Sequence, residues 1–242
     1  MIFIVSLLGL IWRWKRLGFD CRNNAIIIMT AAIIFAFISS EDGFSRHFRY
    51  VLPVLPLLFV WSSYIAMSPN QVFQILAFFF CGLSIISSLL VFLHSLSYFN
   101  YVSGTPLKWP KYLLDSNIDW GQDLLYLKKW QKEHPYSKPL FVRYFGTVDP
   151  QWIGLEYKNF EYKSLNGNKI LDIKSGWYAI SVNDLYEYKH WEYEIPLHHY
   201  FLSFDPVATA GYSIYIYYIT PSEASRVRRE MGLPEMEEIA QE

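Results

Sequence analysis

Cysteine is scarce in this sequence: Cys21 and Cys81 are the two in 242 residues, and none follows position 81. A disulfide framework is therefore excluded for the second half of the chain. An excess of charge is missing as well. The 21 Lys and Arg against 22 Asp and Glu leave a net charge of −1, which gives no electrostatic footprint for nucleic acid. No glycine-rich phosphate loop follows a strand-like run, and no serine-centred nucleophile elbow is present; the usual signatures of P-loop, dinucleotide-binding and α/β-hydrolase chemistry are absent. Basic residues before the first apolar run are lacking too, which argues against a signal peptide.

What the chain has in abundance is apolar surface, and it is unevenly spread. The first hundred residues are nearly continuously hydrophobic between short polar breaks, whereas residues 101–242 hold most of the charge. The expected organisation is a membrane part, residues 1–97, followed by a water-soluble part, residues 98–242. The opening run MIFIVSLLGLIW spans about 18 Å as a helix, too short for a hydrocarbon core of about 30 Å. Arg13, Lys15 and Arg16 follow it, as at the exit of a spanning helix, so Met1 is expected to lie inside a longer membrane protein. Three further runs, 25–39, 51–67 and 71–93, are read as full spans, with soluble core helices as the alternative for the two shorter ones. The fold expected is thus an α-helical membrane segment, three full spans plus a truncated one, followed by a small extracytoplasmic α/β domain. Sidedness comes from the basic loop 13–24, which belongs in the cytoplasm; counting spans then puts loop 40–50 and everything after Leu93 outside.

Loop 40–50 carries Arg46, His47 and Arg49 on that outer side, at the mouth of a helix containing Pro53 and Pro56. A guanidinium grips a phosphate with two parallel hydrogen bonds, so a phosphate-bearing lipid is one reading of these residues. The other is a solvated loop whose arginines snorkel or pair with Glu41 and Asp42. Pro53 suits the first turn of its helix, while Pro56 is expected to free a backbone group that needs another partner.

In the soluble part, WPKYLLDSNIDWGQDLLYLKKW (109–130) is the densest cluster of chemistry. Asp119 reads as a helix N-cap, Gln122 as the partner closing a capping box, and Asp123 as an acid at the positive end of the dipole. Trp120, Leu124, Leu127 and Trp130 then share one helical face. Asp115, Asn117 and Asp119 alternate, a spacing that can gather oxygen ligands for a hard cation. Gly121 comes one place too late for a calcium loop, however, and Tyr126 stands where its bidentate Glu belongs, so no metal is expected. Residues 141–146, 176–182 and 212–219 read as strands. A helix is expected after Asn183, and Thr220-Pro221-Ser222-Glu223 reads as a capping box whose helix stops at Gly232 and Pro234. Adjacent His198 and His199 lack a third ligand at metal-site spacing. Glu192 and Glu194 are same-face carboxylates if they lie on a strand, but a glycosidase pair also needs a cleft. The many tyrosines and tryptophans fit stacking on sugar rings, strand propensity and interfacial anchoring alike.

The runs SRHFRYVLPVLPLL (45–58), DSNIDWGQDLLYLKKW (115–130), VRYFGTVDPQWIG (142–154), GWYAISVNDLY (176–186) and DPVATAGYSIYIYYI (205–219) resemble the C-terminal part of bacterial multi-spanning glycosyltransferases. They are similar to glycosyltransferase family 39, the protein mannosyltransferase and aminoarabinose transferase group with the C-type membrane fold. The resemblance implies transfer of a sugar from a polyprenyl-phosphate carrier to a glycan, lipid or protein acceptor at the outer membrane face, without a cofactor. It also implies a general-base aspartate in a first outer loop that has no counterpart here. It places Arg46, His47 and Arg49 at the carrier phosphate, and matches Asp115, Asn117, Asp119, Trp120, Gln122 and Asp123 to a soluble-domain motif. The reading from another class is a non-catalytic, membrane-anchored module that binds glycan or protein.

Overall fold

The computed structural model describes residues 21–40, 48–63, 70–97, 106–111, 114–165, 168–186 and 198–233, and the chain divides into two compact units, Met1–Ser95 and Leu96–Glu242. The first unit is helical: α1 (Cys21–Ser40), α2 (Val54–Ser63) and α3 (Gln71–Leu90). Each 20-residue helix, α1 and α3, extends about 30 Å, which matches a bilayer's hydrocarbon core. Their apolar side chains point outward: Ile33, Phe37, Phe78, Phe79, Leu83 and Leu89 are all exposed. An unpartnered apolar surface of this kind calls for a non-aqueous surrounding or a further protein surface. Asn70 caps α3, its Oδ1 accepting from the Val72 N–H at 2.9 Å.

The expectation of three full spans plus a truncated one is corrected here. Among the described residues two helices, Asn23–Ser40 and Gln71–Leu90, are long and apolar enough to cross a membrane. The described residues of run 51–67 contribute a ten-residue helix, about 15 Å, half the required length. At its start a 3-10 turn (Phe48–Val51) and the Leu52-Pro53 turn precede the first α-helical residue, Val54, and residues 64–67 of the run fall outside the described residues. Pro56 costs less than expected. It sits within the first four positions, whose N–H groups have no intrahelical partner, and the Leu52 carbonyl accepts from the Leu55 N–H at 3.0 Å instead. The opening run falls outside the described residues.

The second unit is built on a mixed five-stranded sheet in the order β2-β1-β5-β7-β6. Its strands are β1 (Leu140–Arg143), β2 (Lys158–Asn159), β5 (Gly176–Ser181), β6 (Ala208–Ala210) and β7 (Ile214–Ile219), while β3 (Tyr162–Leu165) and β4 (Asn168–Leu171) form a separate hairpin. β1 runs parallel to both β2 and β5; β7 is antiparallel to β5 and β6. Period-two alternation sends side chains to two cores. Leu140, Val142, Ala179, Ile214 and Ile216 meet Leu124, Leu127 and Trp130 of α4 (Leu124–Glu133) on one face. Phe141, Tyr178, Ile180, Tyr215, Tyr217 and Ile219 meet Leu171, Phe201, Ala224 and Val227 on the other. Strands buried on both faces must be apolar nearly throughout, and IYIYYI (214–219) is. Val182–Leu185 forms the short α5, and Pro221–Glu230 forms α6. α6 opens on the full Thr220/Glu223 capping box with Pro221 in its first turn, and Gly232 follows its end at a φ of 68°.

Among the described residues of this unit, one ion pair has both side chains buried. The Arg228 guanidinium donates to Asp172 Oδ1 at 2.6 Å and to the Ile173 carbonyl at 2.8 Å, and both charged side chains are buried. Lys163 approaches the other Asp172 oxygen at 3.0 Å. Burial alone pushes the Asp172 carboxyl up, but the bonds from Arg228 and Lys163 overcome it and hold the group below the usual carboxylate range. Asp172→Ala leaves Arg228 without its counter-charge and is expected to cost about 3–5 kcal/mol. Urea unfolding of the full chain in nanodiscs measures this. A folded value below the unfolded one means that the carboxylate's contribution is present above the unfolded pKa and fades as pH falls through the folded one.

Candidate functional site

β1, β2 and β5 are parallel, so their carboxyl ends share one edge of the sheet, and antiparallel β7 brings its amino end to the same edge. The chain leaves β1 toward β2 on one side and reaches β7 on the other side of β5. In open α/β sheets this edge, where the connections diverge, is where ligands bind. The DSNIDWGQD run lands there, in a form the sequence reading did not anticipate.

Asp119 is not a helix N-cap. α4 begins at Leu124, five residues later, and Asp119 is fully buried. Its Oδ1 accepts from the Gly121 N–H at 2.7 Å and its Oδ2 from the Ser181 hydroxyl at 2.5 Å, at the end of β5. Its backbone carbonyl receives the Asn183 side-chain amide at 3.4 Å. Asp123, also fully buried, stands at the N-cap position but makes no side-chain cap. Its Oδ2 instead accepts from Tyr212 N–H, Ser213 N–H and the Ser213 hydroxyl, each at 2.9 Å. Both acids are thus diverted from their own helix to the strand ends, because bonds to strongly placed donors outweigh a single capping bond. Gln122 does not close a capping box. Its Oε1 accepts from Trp120 N–H at 2.8 Å, and its amide donates to Ser97 Oγ at 2.9 Å and to the Ile118 carbonyl at 3.0 Å.

Two glycines permit this arrangement. Gly121 has a φ of 82° and Gly211 a φ of 60°, in the left-handed region that favours glycine. A Cβ on Gly211 would be driven into the Asp123 carboxylate, and one on Gly121 into the Tyr144 ring, whose hydroxyl donates to the Gly121 carbonyl at 3.1 Å.

The other motif residues scatter. Trp120 is 56% exposed and lies outside α4 rather than on its buried face. Asn117 donates to the Leu114 carbonyl at 3.0 Å, and Asp115 opens a 3-10 turn ending at Asn117. His198 is buried with its ring nitrogen 3.0 Å from the Tyr162 hydroxyl, whereas His199 is exposed. Arg49, in the first unit, is exposed and lies over the Tyr50 ring at 5.2 Å. Arg46, His47, Glu192 and Glu194 fall outside the described residues, as does the tail after Leu233.

Beyond the carboxyl ends of β1 and β2 opens a cleft of about 320 Å³, walled by Tyr144, Tyr157 and Tyr162 and edged by Arg143, Asp149 and Asn159. The crossover from β1 to β2 shapes its rim. Asp149 caps the 3-10 turn Pro150–Ile153, accepting from Gln151 N–H at 2.8 Å, and Gly154 ends that turn at a φ of 70°. Arg143 bonds Asp184 at 2.8 Å. Asp184 is nonetheless pushed above the usual carboxylate range, because burial outweighs the arginine.

With this geometry in hand, the chain can be set against known protein families, curated proteins and solved structures. It matches none of them.

Sequence reasoning found Asp119 and Asp123, whose bonds latch the turn before α4 to the strand ends, but not their partners Ser181 and Ser213, 62 and 90 residues away, nor Tyr144, which bonds the Gly121 carbonyl from 23 residues away. It also missed the cleft. The usable signal was Asp149-Pro150, an N-cap followed by a first-turn proline.

Burial pushes Asp119 up from an ordinary 3.8 to about 6, against the lowering by Ser181 and Gly121; Asp123 adds a smaller upward push. Among the described residues, Asp123 and Tyr144 are the titratable groups that face it. The native state therefore holds this proton more tightly than the unfolded chain. Stability from Asp119 is full below about pH 4 and is lost as pH rises through about 6, a difference on the order of 2–3 kcal/mol. Asp119→Asn keeps an acceptor for Gly121 and is expected to flatten this slope in denaturation midpoints measured from pH 4 to 8; an unchanged slope contradicts the assignment. Gly211→Ala, which strains a left-handed residue and displaces Asp123, is expected to cost more than about 1 kcal/mol in the same assay.

Proposed function

We propose that the chain is part of a membrane glycosyltransferase that moves a sugar from a polyprenyl-phosphate carrier to a glycan, lipid or protein acceptor, with its second unit on the extracytoplasmic side. The observation that carries this reading is Arg49. Two span-length apolar helices supply the attachment to a bilayer, and the turn that packs against α1 presents an exposed guanidinium. Among the described residues this guanidinium has no carboxylate partner; its Nη2 lies 3.3 Å from the Tyr50 hydroxyl, and its carbon sits over the same ring. A cation oriented by an aromatic ring at a membrane border suits a lipid phosphate, which it can grip bidentately. Arg46 and His47, next to it in sequence, complete the proposed phosphate clamp.

The second unit supplies a scaffold of the kind an acceptor needs: a packed sheet with a cleft at its carboxyl edge. One observation favours the non-catalytic, glycan- or protein-binding alternative. Among the described residues, Asp149 is the only carboxylate lining the cleft, so they offer no basis for paired-carboxylate chemistry.

The test is binding of polyprenyl phosphate to the full chain in nanodiscs. Arg49→Ala is expected to weaken binding about tenfold, the loss of a charge-assisted contact, and Arg49→Lys to restore it in part, because lysine keeps the charge without the planar fork. Unchanged binding in Arg49→Ala contradicts the clamp. Sidedness is read separately. In a Cys21→Ser, Cys81→Ser background, Ser164→Cys on exposed β3 is expected to react with a membrane-impermeant thiol reagent on intact cells. Protection until lysis reverses the orientation.

A further inference from the structure

The cleft at the carboxyl ends of β1 and β2 has a construction that narrows what it can hold. Its three phenol rings are tethered at their hydroxyl ends by the protein itself. Tyr144 Oη donates to the Gly121 carbonyl at 3.1 Å, Tyr157 Oη to Asp149 Oδ1 at 3.4 Å, and Tyr162 Oη lies 3.0 Å from His198. Their hydroxyls are engaged, so what the rings have left to offer a ligand is their faces and edges. A ring tethered at its far end presents that surface with little conformational entropy left to lose.

Among the described residues the charges around these rings nearly cancel. Arg143 is already bonded to Asp184 at 2.8 Å, and the cleft's carboxylate, Asp149, repels anions. A phosphate or a uronate is therefore disfavoured. Asp149 spends Oδ1 on the Gln151 N–H and on Tyr157, and its Oδ2 is an acceptor for a ligand hydroxyl. Asn159, exposed at the end of β2, and exposed Thr147 add donors and acceptors on the same rim. The volume of about 320 Å³ falls at the small end of ligand pockets, which run from about 300 to 1,000 Å³.

Rigid aromatic surfaces, hydroxyl-binding polar groups and balanced charge among the described lining residues together select one chemical class. We propose that this cleft is a binding site for a neutral saccharide of one or two rings, stacked against the tyrosines and hydrogen-bonded through Asp149 and Asn159. That the bound sugar is the acceptor end of a glycan rests on the transferase reading; that the cleft binds sugar does not.

Saturation-transfer NMR and calorimetry on the full chain in lipid nanodiscs test it, since glucoside and maltoside detergents would themselves compete. The probes are glucose, galactose, mannose, N-acetylglucosamine and their β-linked disaccharides, with glucuronate and inorganic phosphate as anionic controls. At least one neutral sugar is expected to bind, and neither anion to displace it. Asp149→Asn keeps the cap of the 3-10 turn and removes the charge from the acceptor, so it is expected to weaken binding about tenfold. Thr147→Trp, a substitution at an exposed rim position, is expected to block binding by filling the cleft, with the thermal midpoint unchanged. No binding by any neutral sugar overturns the proposal, as does binding that survives both variants or is displaced by phosphate. Polyprenyl-phosphate binding measured on the same samples keeps the two ideas apart. Its loss on Arg49→Ala together with no sugar binding removes the cleft alone; sugar binding with no polyprenyl-phosphate binding removes the clamp alone.

Discussion

Two carboxylates buried at the end of a sheet are the constraint on which the second unit depends. Placing Asp119 and Asp123 wholly out of water is costly, and it is tolerated because each is met by donors fixed in the backbone or by short side chains: Gly121 and Ser181 for one, Tyr212 and Ser213 for the other. The bonds join segments far apart in sequence. They tie the turn entering α4 to the end of β5 and to the β6–β7 turn, which sets where α4 lies on its face of the sheet. Tyr144 bonds to that turn through Gly121 and also forms a wall of the cleft, so latch and cleft share a residue.

Elements whose physics is local were legible in the sequence. The strands Gly176–Ser181 and Ile214–Ile219 and the Thr220 capping box lie where β-branched and aromatic runs or a four-residue capping pattern put them. Elements decided by distant partners were misread. Asp119, Gln122 and Asp123 satisfy every local rule for a helix start, yet α4 opens at Leu124 with no side-chain cap. Serines at 181 and 213, brought together by the antiparallel pairing of β5 and β7, offer better bonds than the helix does. Hydropathy counts apolar residues, whereas the helix described within run 51–67 starts only after the turn at Leu52-Pro53. The cleft was invisible because its walls come from β1, from the crossover after it and from β3, with no contiguous pattern in the chain.

The two units point to a division of labour within the proposed enzyme. The first offers apolar helices and a cation at their connection, features that suit a lipid-borne phosphate. The second offers a rigid edge with aromatic walls and balanced charge, features that suit a sugar. Trp152, 82% exposed on the crossover turn, and Trp120, 56% exposed beside Gly121, are both left out of the core.

The latch is tested most directly by amide hydrogen exchange on the full chain in nanodiscs. The N–H groups of Gly121, Tyr212 and Ser213 lie in turns, where exchange is ordinarily fast, but each donates to a buried carboxylate. They are predicted to exchange as slowly as the central amides of β5 and β7, opening only with the sheet itself. Exchange of these three amides at the rate of exposed loop residues, while β5 and β7 stay protected, would contradict the claim that the carboxylates hold this edge together.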